Sequence, residues 1–310
     1  MLLKFLKMNT TPIIIGTNSW GGRLYAKLLR GGSVSIETIK ETAESAIKNG
    51  FEIFDTARNY GFGKSQKIMG QLAMPEMKIS AKFTPFSKKY KQGQVRKSLD
   101  KDLKDFNRQY VDIYWLHLPV CIEENLAEMI TLYREGKIHA IGISNFNLNE
   151  AQKAKKILDR EQIPLFGVQN HYSLIEREWE KNGLVDWCKQ NNVQFWAWAV
   201  LEEGALTGKT PSGVMGLMYR RRTKKLKPLI ELMNIIGKKY NISTAQTAVV
   251  YCLTKGIVPL CGCRKPYQID QLTQNVSIRF TPEEITALET AADKCGITIM
   301  KADMFRFMSK

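Results

Sequence analysis

Short runs of β-branched and other apolar residues alternate along this chain with stretches whose apolar positions recur every three or four residues. The first pattern fits buried strands, the second amphipathic helices. Pro12–Gly16 reads as a strand. Ser35 then caps a helix whose positions Ile36, Ile39, Ala43, Ala46 and Ile47 keep helical spacing, with Gly50 as its stop. Phe51–Phe54 and a short helix over 64–73 follow, then Lys78–Ala81 and a charged amphipathic helix over 92–106. Val111–Leu116 precedes a helix over 124–135 closed by Gly136, and Ile138–Ile143 a helix running to Arg160. Leu165–Val168 leads to a helix over 177–190. Val193–Ala197 opens into a long loop over 209–227, followed by a helix Leu229–Tyr240, and Ile257–Leu260 is the last strand. Thr281, with Pro282 at the first helical position, starts an additional helix to Asp293.

Such alternation requires a parallel sheet. Eight passages in about 280 residues predict an α/β fold of the (β/α)8 TIM barrel type, with an additional C-terminal helix and tail. No G-x-G-x-x-G follows the first strand, as a dinucleotide-binding doubly wound sheet would need. No Pro- or Gly-rich linker interrupts the series, so 1–310 reads as a single barrel domain.

Composition changes this picture little. Of 310 residues 44% are apolar and 25% charged, which excludes a disordered chain. No apolar run reaches the length of a membrane span, and Met1–Met8 is too short for a signal peptide, so a cytoplasmic protein is expected. Six cysteines and three histidines give no metal-ligand spacing, Cys261-Gly-Cys263 included, so no metal is expected.

The net charge of +16 is the unusual number. Arg220–Arg222 with Lys224, Lys225 and Lys227 is one basic cluster; Lys153, Lys155 and Lys156 form another. Such clusters suit nucleic acid, an anionic membrane or a phosphate-bearing ligand, but no nucleic-acid module accompanies them. Solvated helix surface accounts for most of the excess, and neither a nucleic-acid nor a membrane partner is expected.

Chemistry concentrates where a (β/α)8 barrel keeps its active site, at the C-terminal ends of the strands. Strand two ends in Asp55, three in Lys82, four in His117, five in Ser144-Asn145, six in Gln169-Asn170 and seven in Trp198. Taken singly, Lys82 reads as a buried salt-bridge lysine and His117 as a satisfied core histidine. Packing does not explain so many polar ends at one edge.

In these residues the chain resembles the aldo-keto reductase family. Phe54-Asp-Thr-Ala-Arg-Asn-Tyr-Gly61 is similar to that family's signature around its catalytic aspartate and tyrosine. Ser80-Ala-Lys-Phe83, Tyr114-Trp-Leu-His-Leu-Pro119, Gly142-Ile-Ser-Asn-Phe146, Gly167-Val-Gln-Asn170, Gly204-Ala-Leu-Thr-Gly208 and Gly262-Cys-Arg-Lys-Pro266 match further blocks in order. The resemblance runs from about Ile13 to about Cys295. It implies an NADPH-dependent oxidoreductase that reduces an aldehyde or ketone by hydride transfer. Tyr60 would be the general acid, assisted by Lys82, Asp55 and His117. A Lys82 ammonium about 4 Å away, at an effective dielectric of about 20, would favour the Tyr60 phenolate by roughly 4 kcal/mol. Asp55 would keep Lys82 charged and aimed, and His117 would hydrogen-bond the substrate oxygen.

The resemblance also implies NADP(H) across the barrel mouth. Ser144, Asn145 and Gln169 would hold the carboxamide, and Trp198 would replace the usual tyrosine stacked on the nicotinamide. Gly16 and Thr17 would approach the ribose, and Leu201 through Gly204, Glu203 included, the pyrophosphate. Gly262, Arg264, Lys265 and Gln268 match the adenosine 2′-phosphate region, where a guanidinium favours NADP(H) over NAD(H). Three departures stand out: Leu272 replaces an adenine-contacting asparagine, Leu118-Pro-Val-Cys121 lacks an acidic residue, and Glu202-Glu203 puts two acids beside a pyrophosphate site. Substrate contacts fall to Tyr60, His117 and Trp20. Trp115, Tyr25, Met300, Met304, Phe305, Phe307 and Met308 either line an apolar pocket or pack the barrel and cap its end. The 209–227 loop is expected to border the mouth. A Schiff-base lyase using Lys82 and a non-enzymatic NADP-binding regulatory module are the competing readings. A monomer or weak homo-oligomer acting on a small carbonyl compound completes the expectation.

Overall fold

Each strand-forming run pairs in parallel with the next, and the last returns to the first. The structure, a computed structural model, describes residues 12–21, 34–209 and 213–297. Its strands are β1 (Ile14–Gly16), β2 (Ile53–Asp55), β3 (Lys78–Phe83), β4 (Ile113–Leu116), β5 (Ile141–Ser144), β6 (Leu165–His171), β7 (Gln194–Trp198) and β8 (Val258–Gly262). They close into one barrel in chain order, the (β/α)8 architecture the alternation predicts. The helices that follow them are α1 (Ile36–Lys48), α2 (Lys64–Leu72), α3 (Gln94–Phe106), α4 (Ile122–Arg134), α5 (Leu148–Arg160), α6 (Glu178–Lys181), α7 (Leu184–Gln190), α8 (Gly213–Lys239), α9 (Thr244–Thr254), α10 (Pro266–Asn275) and the additional α11 (Pro282–Lys294).

Local chemistry starts these helices where the sequence signals them. Ser35 accepts from the Thr38 amide at the start of α1, and Asn147 forms a reciprocal capping box with Glu150 at α5. Thr281 does the same with Glu284 at α11. That helix is then tied to the barrel by side chains: Arg177 to Asp293, Tyr251 to Glu289 and Tyr240 to Glu284.

Two apolar layers form. The larger lies between strands and helices; the smaller fills the barrel with Ile14, Ile53, Ile113, Trp115, Phe166 and Trp196. Trp115 sits 5.0 Å from the Trp196 ring and 5.9 Å from Phe166, and all three are buried. Burying each of these side chains contributes about 1.5–3 kcal/mol. Trp115 is therefore barrel filling beneath the mouth, and the pocket-lining alternative does not apply to it. Tyr25 and the Met/Phe-rich tail fall outside the described residues.

One element differs from expectation. Most of the stretch expected as a loop over 209–227 is helical, because α8 begins at Gly213 and continues through Pro228. A proline inside a helix costs about 3 kcal/mol and signals a break. Here Leu226, Leu229, Met233 and Ile236, at helical spacing, are all buried in the main core and outweigh it. The side chains of Arg220, Arg221 and Arg222 lie outside the described set.

Candidate active site

β2 delivers Asp55 at its last position, and the pairing of β2 with β3 sets Asp55 opposite Ser80. Lys82 lies two residues further along β3, on the same face of the strand as Ser80. The buried Asp55 carboxylate accepts three side-chain hydrogen bonds. One oxygen accepts from Ser80 Oγ at 2.8 Å and Gln169 Nε2 at 3.0 Å; the other accepts a short bond from Lys82 Nζ. The ammonium also donates to the Thr56 carbonyl at 3.1 Å and to Tyr60 Oη at 3.5 Å. Burial, the largest influence, would push Lys82 down, but Asp55 and then Tyr60 reverse it, and the ammonium is held above the ordinary lysine value.

His117 follows β4 and is buried, with Nδ1 at 2.7 Å from Thr84 Oγ1. Burial first and the Lys82 charge second push its imidazole down to about 3, so it is neutral at any working pH. Asp55 and Tyr60 from one stretch and His117 from another thus lie around the Lys82 ammonium, from a third, at the strand ends.

The loop that carries Tyr60 is clamped from outside the barrel. Arg58 bonds Asp102 through a short contact and Asp105 at 3.0 Å, both on α3. Asp102 also accepts from Gln66 Nε2 at 3.0 Å and Tyr114 Oη at 3.1 Å. Burial raises the Asp102 carboxyl, and Arg58 works against that rise. Gly61, next to the tyrosine, has φ +57°, and a Cβ there would stand 2.7 Å from the Gly21 backbone. Only glycine fits that turn.

The residues expected around a dinucleotide separate into two groups. Ser144, Asn145 and Gln169 meet at the ends of β5 and β6. Ser144 donates to the Gln169 carbonyl at 2.8 Å, and Asn145, at φ +64°, donates to the His117 carbonyl at 2.9 Å. Gln169 uses one amide N–H on Asp55; among the described residues its other side-chain polar groups show no protein bond. A row of hydroxyl and amide groups therefore adjoins Asp55 and Lys82, and its chemistry fits a carboxamide. Trp198 is half-buried and stacks on His171 at 4.5 Å. Across β8, Arg264 is half-buried and Lys265 exposed.

Other expected contacts are already occupied. Thr17 is fully buried; its hydroxyl and amide both donate to the Asp55 carbonyl, at 3.0 and 2.9 Å, and its carbonyl accepts from Trp20 and Ser65, so of this pair Gly16 is the one left to face a ribose. Gln268 Oε1 accepts from the Arg264 and Lys265 amides at 2.7 and 3.1 Å and caps α10. Trp20 is buried against Phe54 and donates its indole N–H to the Cys263 carbonyl at 2.8 Å. Leu272 is buried in the core, away from the role its position suggested. Leu201 precedes the turn Glu202–Thr207, in which Glu202, Glu203 and Gly204 all have positive φ.

The sequence profile of the aldo/keto reductase family matches residues 12–293. The chain belongs to the aldo/keto reductase family. Among family relatives, aldo-keto reductase YhdN of Bacillus subtilis is 29% identical over 84% of this chain and 84% of its own length. The chloroplastic pyridoxal reductase of Arabidopsis thaliana is 25% identical over 94% and 85%. The glycerol dehydrogenase of Gluconobacter oxydans superposes with a TM-score of 0.77 at 24% identity, covering 93% of each chain. An aldo-keto reductase of Klebsiella pneumoniae solved with NADPH gives 0.74 at 20% identity, covering 91% of this chain and 90% of that one. NADP(H), the cofactor expected for this aldo/keto reductase chain, is thus the one bound in that family structure.

Several site residues escape a motif reading. Ser80 lies inside the matched block, yet its role shows only in three dimensions: it accepts from Trp115 Nε1 at 2.7 Å and donates to Asp55 at 2.8 Å. It joins the barrel filling to the tetrad. Thr84 orients His117. Asn170 bonds both the amide and the carbonyl of Phe146 and braces the β5 loop. Glu202 turns inward to His171 and Ser173, at 2.8 and 2.6 Å. Its carboxylate is therefore directed into the protein, which removes one of the two acids from a pyrophosphate path. Among the described residues no helix is long and apolar enough to cross a membrane.

Proposed function

We propose that this chain is an NADPH-dependent reductase of a small aldehyde or ketone, with Tyr60 as general acid. The observation that carries the reading is Lys82: a buried ammonium held charged by Asp55 and placed 3.5 Å from Tyr60 Oη. When bound, a reduced nicotinamide supplies the hydride. The carbonyl oxygen then gains negative charge and needs a proton, which Tyr60 Oη donates. Lys82 stabilises the phenolate left behind, and Asp55 keeps that cation in place. A neutral His117 that accepts from Thr84 at Nδ1 would carry its proton on Nε2 and offer it to the same oxygen as a hydrogen bond.

Ser144, Asn145 and Gln169 would hold the carboxamide, Trp198 would stack on the ring, and Arg264 and Lys265 would meet the 2′-phosphate. The same Lys82 geometry opposes a Schiff-base lyase, because an ammonium with a raised pKa is no amine nucleophile. The regulatory reading survives only if turnover is absent.

The test is NADPH oxidation by the purified chain against a panel of aldehydes, ketones, sugars and steroids. We expect turnover with at least one class and at least about tenfold weaker use of NADH, consistent with a phosphate-binding cation pair. NADPH binding without turnover of any carbonyl would favour the regulatory module; equal use of both dinucleotides would remove the Arg264–Lys265 assignment.

A further inference from the structure

His171 and Trp198 are register partners at the ends of β6 and β7. Their rings stack with centroids 4.5 Å apart and planes 16° apart, so the imidazole covers one indole face. His171 is itself fixed. It is 1% exposed, and its Nε2 lies 2.8 Å from Glu202 Oε1, which also accepts from Ser173 Oγ at 2.6 Å. The chain accepts backbone strain to make this contact: Glu202 and Glu203, both non-glycine, adopt φ of +48° and +55°. Each such residue costs about 1–2 kcal/mol. A strained turn that buries a carboxylate against the edge of a stacked imidazole at the strand ends points to a function.

The hydrogen bonds define the protonation state. A carboxylate only accepts, so His171 Nε2 carries a proton. His171 Nδ1 is buried and has no hydrogen-bond partner among the described residues. An imidazolium would leave a buried N–H there without an acceptor, whereas the neutral form leaves only a lone pair. Glu176 also faces the pair; burial foremost raises its carboxyl, and the Glu202 charge adds to the rise. The pair then carries one net negative charge, on Glu202, at the edge of the imidazole that stacks on the indole.

We propose that His171, held by Glu202 as the neutral Nε2–H tautomer, is a positioning residue for Trp198, and that the buried Glu202 charge favours an oxidised, cationic nicotinamide on that platform. Binding the oxidised form more tightly makes the reduced form a stronger hydride donor. This inference rests on the reading that Trp198 receives the nicotinamide.

Dissociation constants for NADP+ and NADPH, measured separately by fluorescence titration of the purified chain, distinguish its parts. Glu202→Gln keeps an acceptor for His171 and Ser173 but removes the charge. It is expected to weaken NADP+ about fivefold and leave NADPH within about twofold. His171→Ala removes the stacked ring and is expected to weaken both forms up to about tenfold, with His171→Phe restoring most of that loss. Equal effects of Glu202→Gln on both forms, or none, overturn the charge role; no rescue by phenylalanine overturns the positioning role. Long-range 15N–1H spectra of the unaltered chain are independent of variant folding. They are expected to show a neutral His171 protonated at Nε2, and an imidazolium or an Nδ1–H form would contradict the inference. A wild-type chain that bound neither dinucleotide would remove the reading beneath it, and this inference with it.

Discussion

His117 illustrates how neighbours decide a residue's state. Burial and then Lys82 push its imidazole down to about 3, against 6.5 for the unperturbed group. Between those values the unfolded chain binds a proton that the folded chain does not. Folding stability tied to His117 is therefore intact above about pH 6.5 and falls by up to about 1.4 kcal/mol per pH unit on the way to pH 3. For His117→Gln, the stability lost between pH 7 and pH 5 in urea titrations is expected to be smaller by about 2 kcal/mol than for the parent chain. An unchanged difference would mean that His117 is not held neutral. At this scale the proximity of Asp55, Tyr60, Lys82 and His117 was legible because each ends a strand or tops its loop. Ser80, Thr84 and Glu202 were not, since hydroxyls and carboxylates reveal their partners only once β2, β3, β6 and the turn after β7 are assembled.

At the scale of elements, strand β5 shows why a motif glycine is needed. A Cβ at Gly142 would come within 2.3 Å of the Trp115 ring, whose indole fills the barrel and donates to Ser80. Gly142→Ala is expected to cost about 1–3 kcal/mol of overpacking, read as a lower urea midpoint, with Trp115→Phe recovering part of it. A midpoint unchanged by the alanine would show that the filling is looser than these distances state. The strands and most helices could be read from apolar spacing and caps. The failure fell on α8, where Pro228 and a run of cations signal a loop locally, and the buried Leu226, Leu229, Met233 and Ile236 prevail through contacts far away in sequence. Propensity is a weak prior against such packing.

Over the whole molecule, the charge of +16 is less concentrated in function than its size suggests. Lys153 pairs with Glu123, and Lys155 with Asp159 at 2.7 Å, both on exposed helix surface where such pairs contribute little. What the barrel does contribute is convergence: eight strand ends bring residues 55, 82, 117 and 169 to one edge, and the clamp of Arg58 on Asp102 and Asp105 brings Tyr60 to it. The central claim is that this edge transfers a proton from Tyr60 to a carbonyl oxygen. Single-turnover NADPH oxidation by Tyr60→Phe, with dinucleotide affinity measured on the same sample, tests it most directly. The expected rate is at least about a hundredfold below the parent chain, the range of one lost general acid, with affinity within about twofold. Parental turnover in the phenylalanine variant would contradict it.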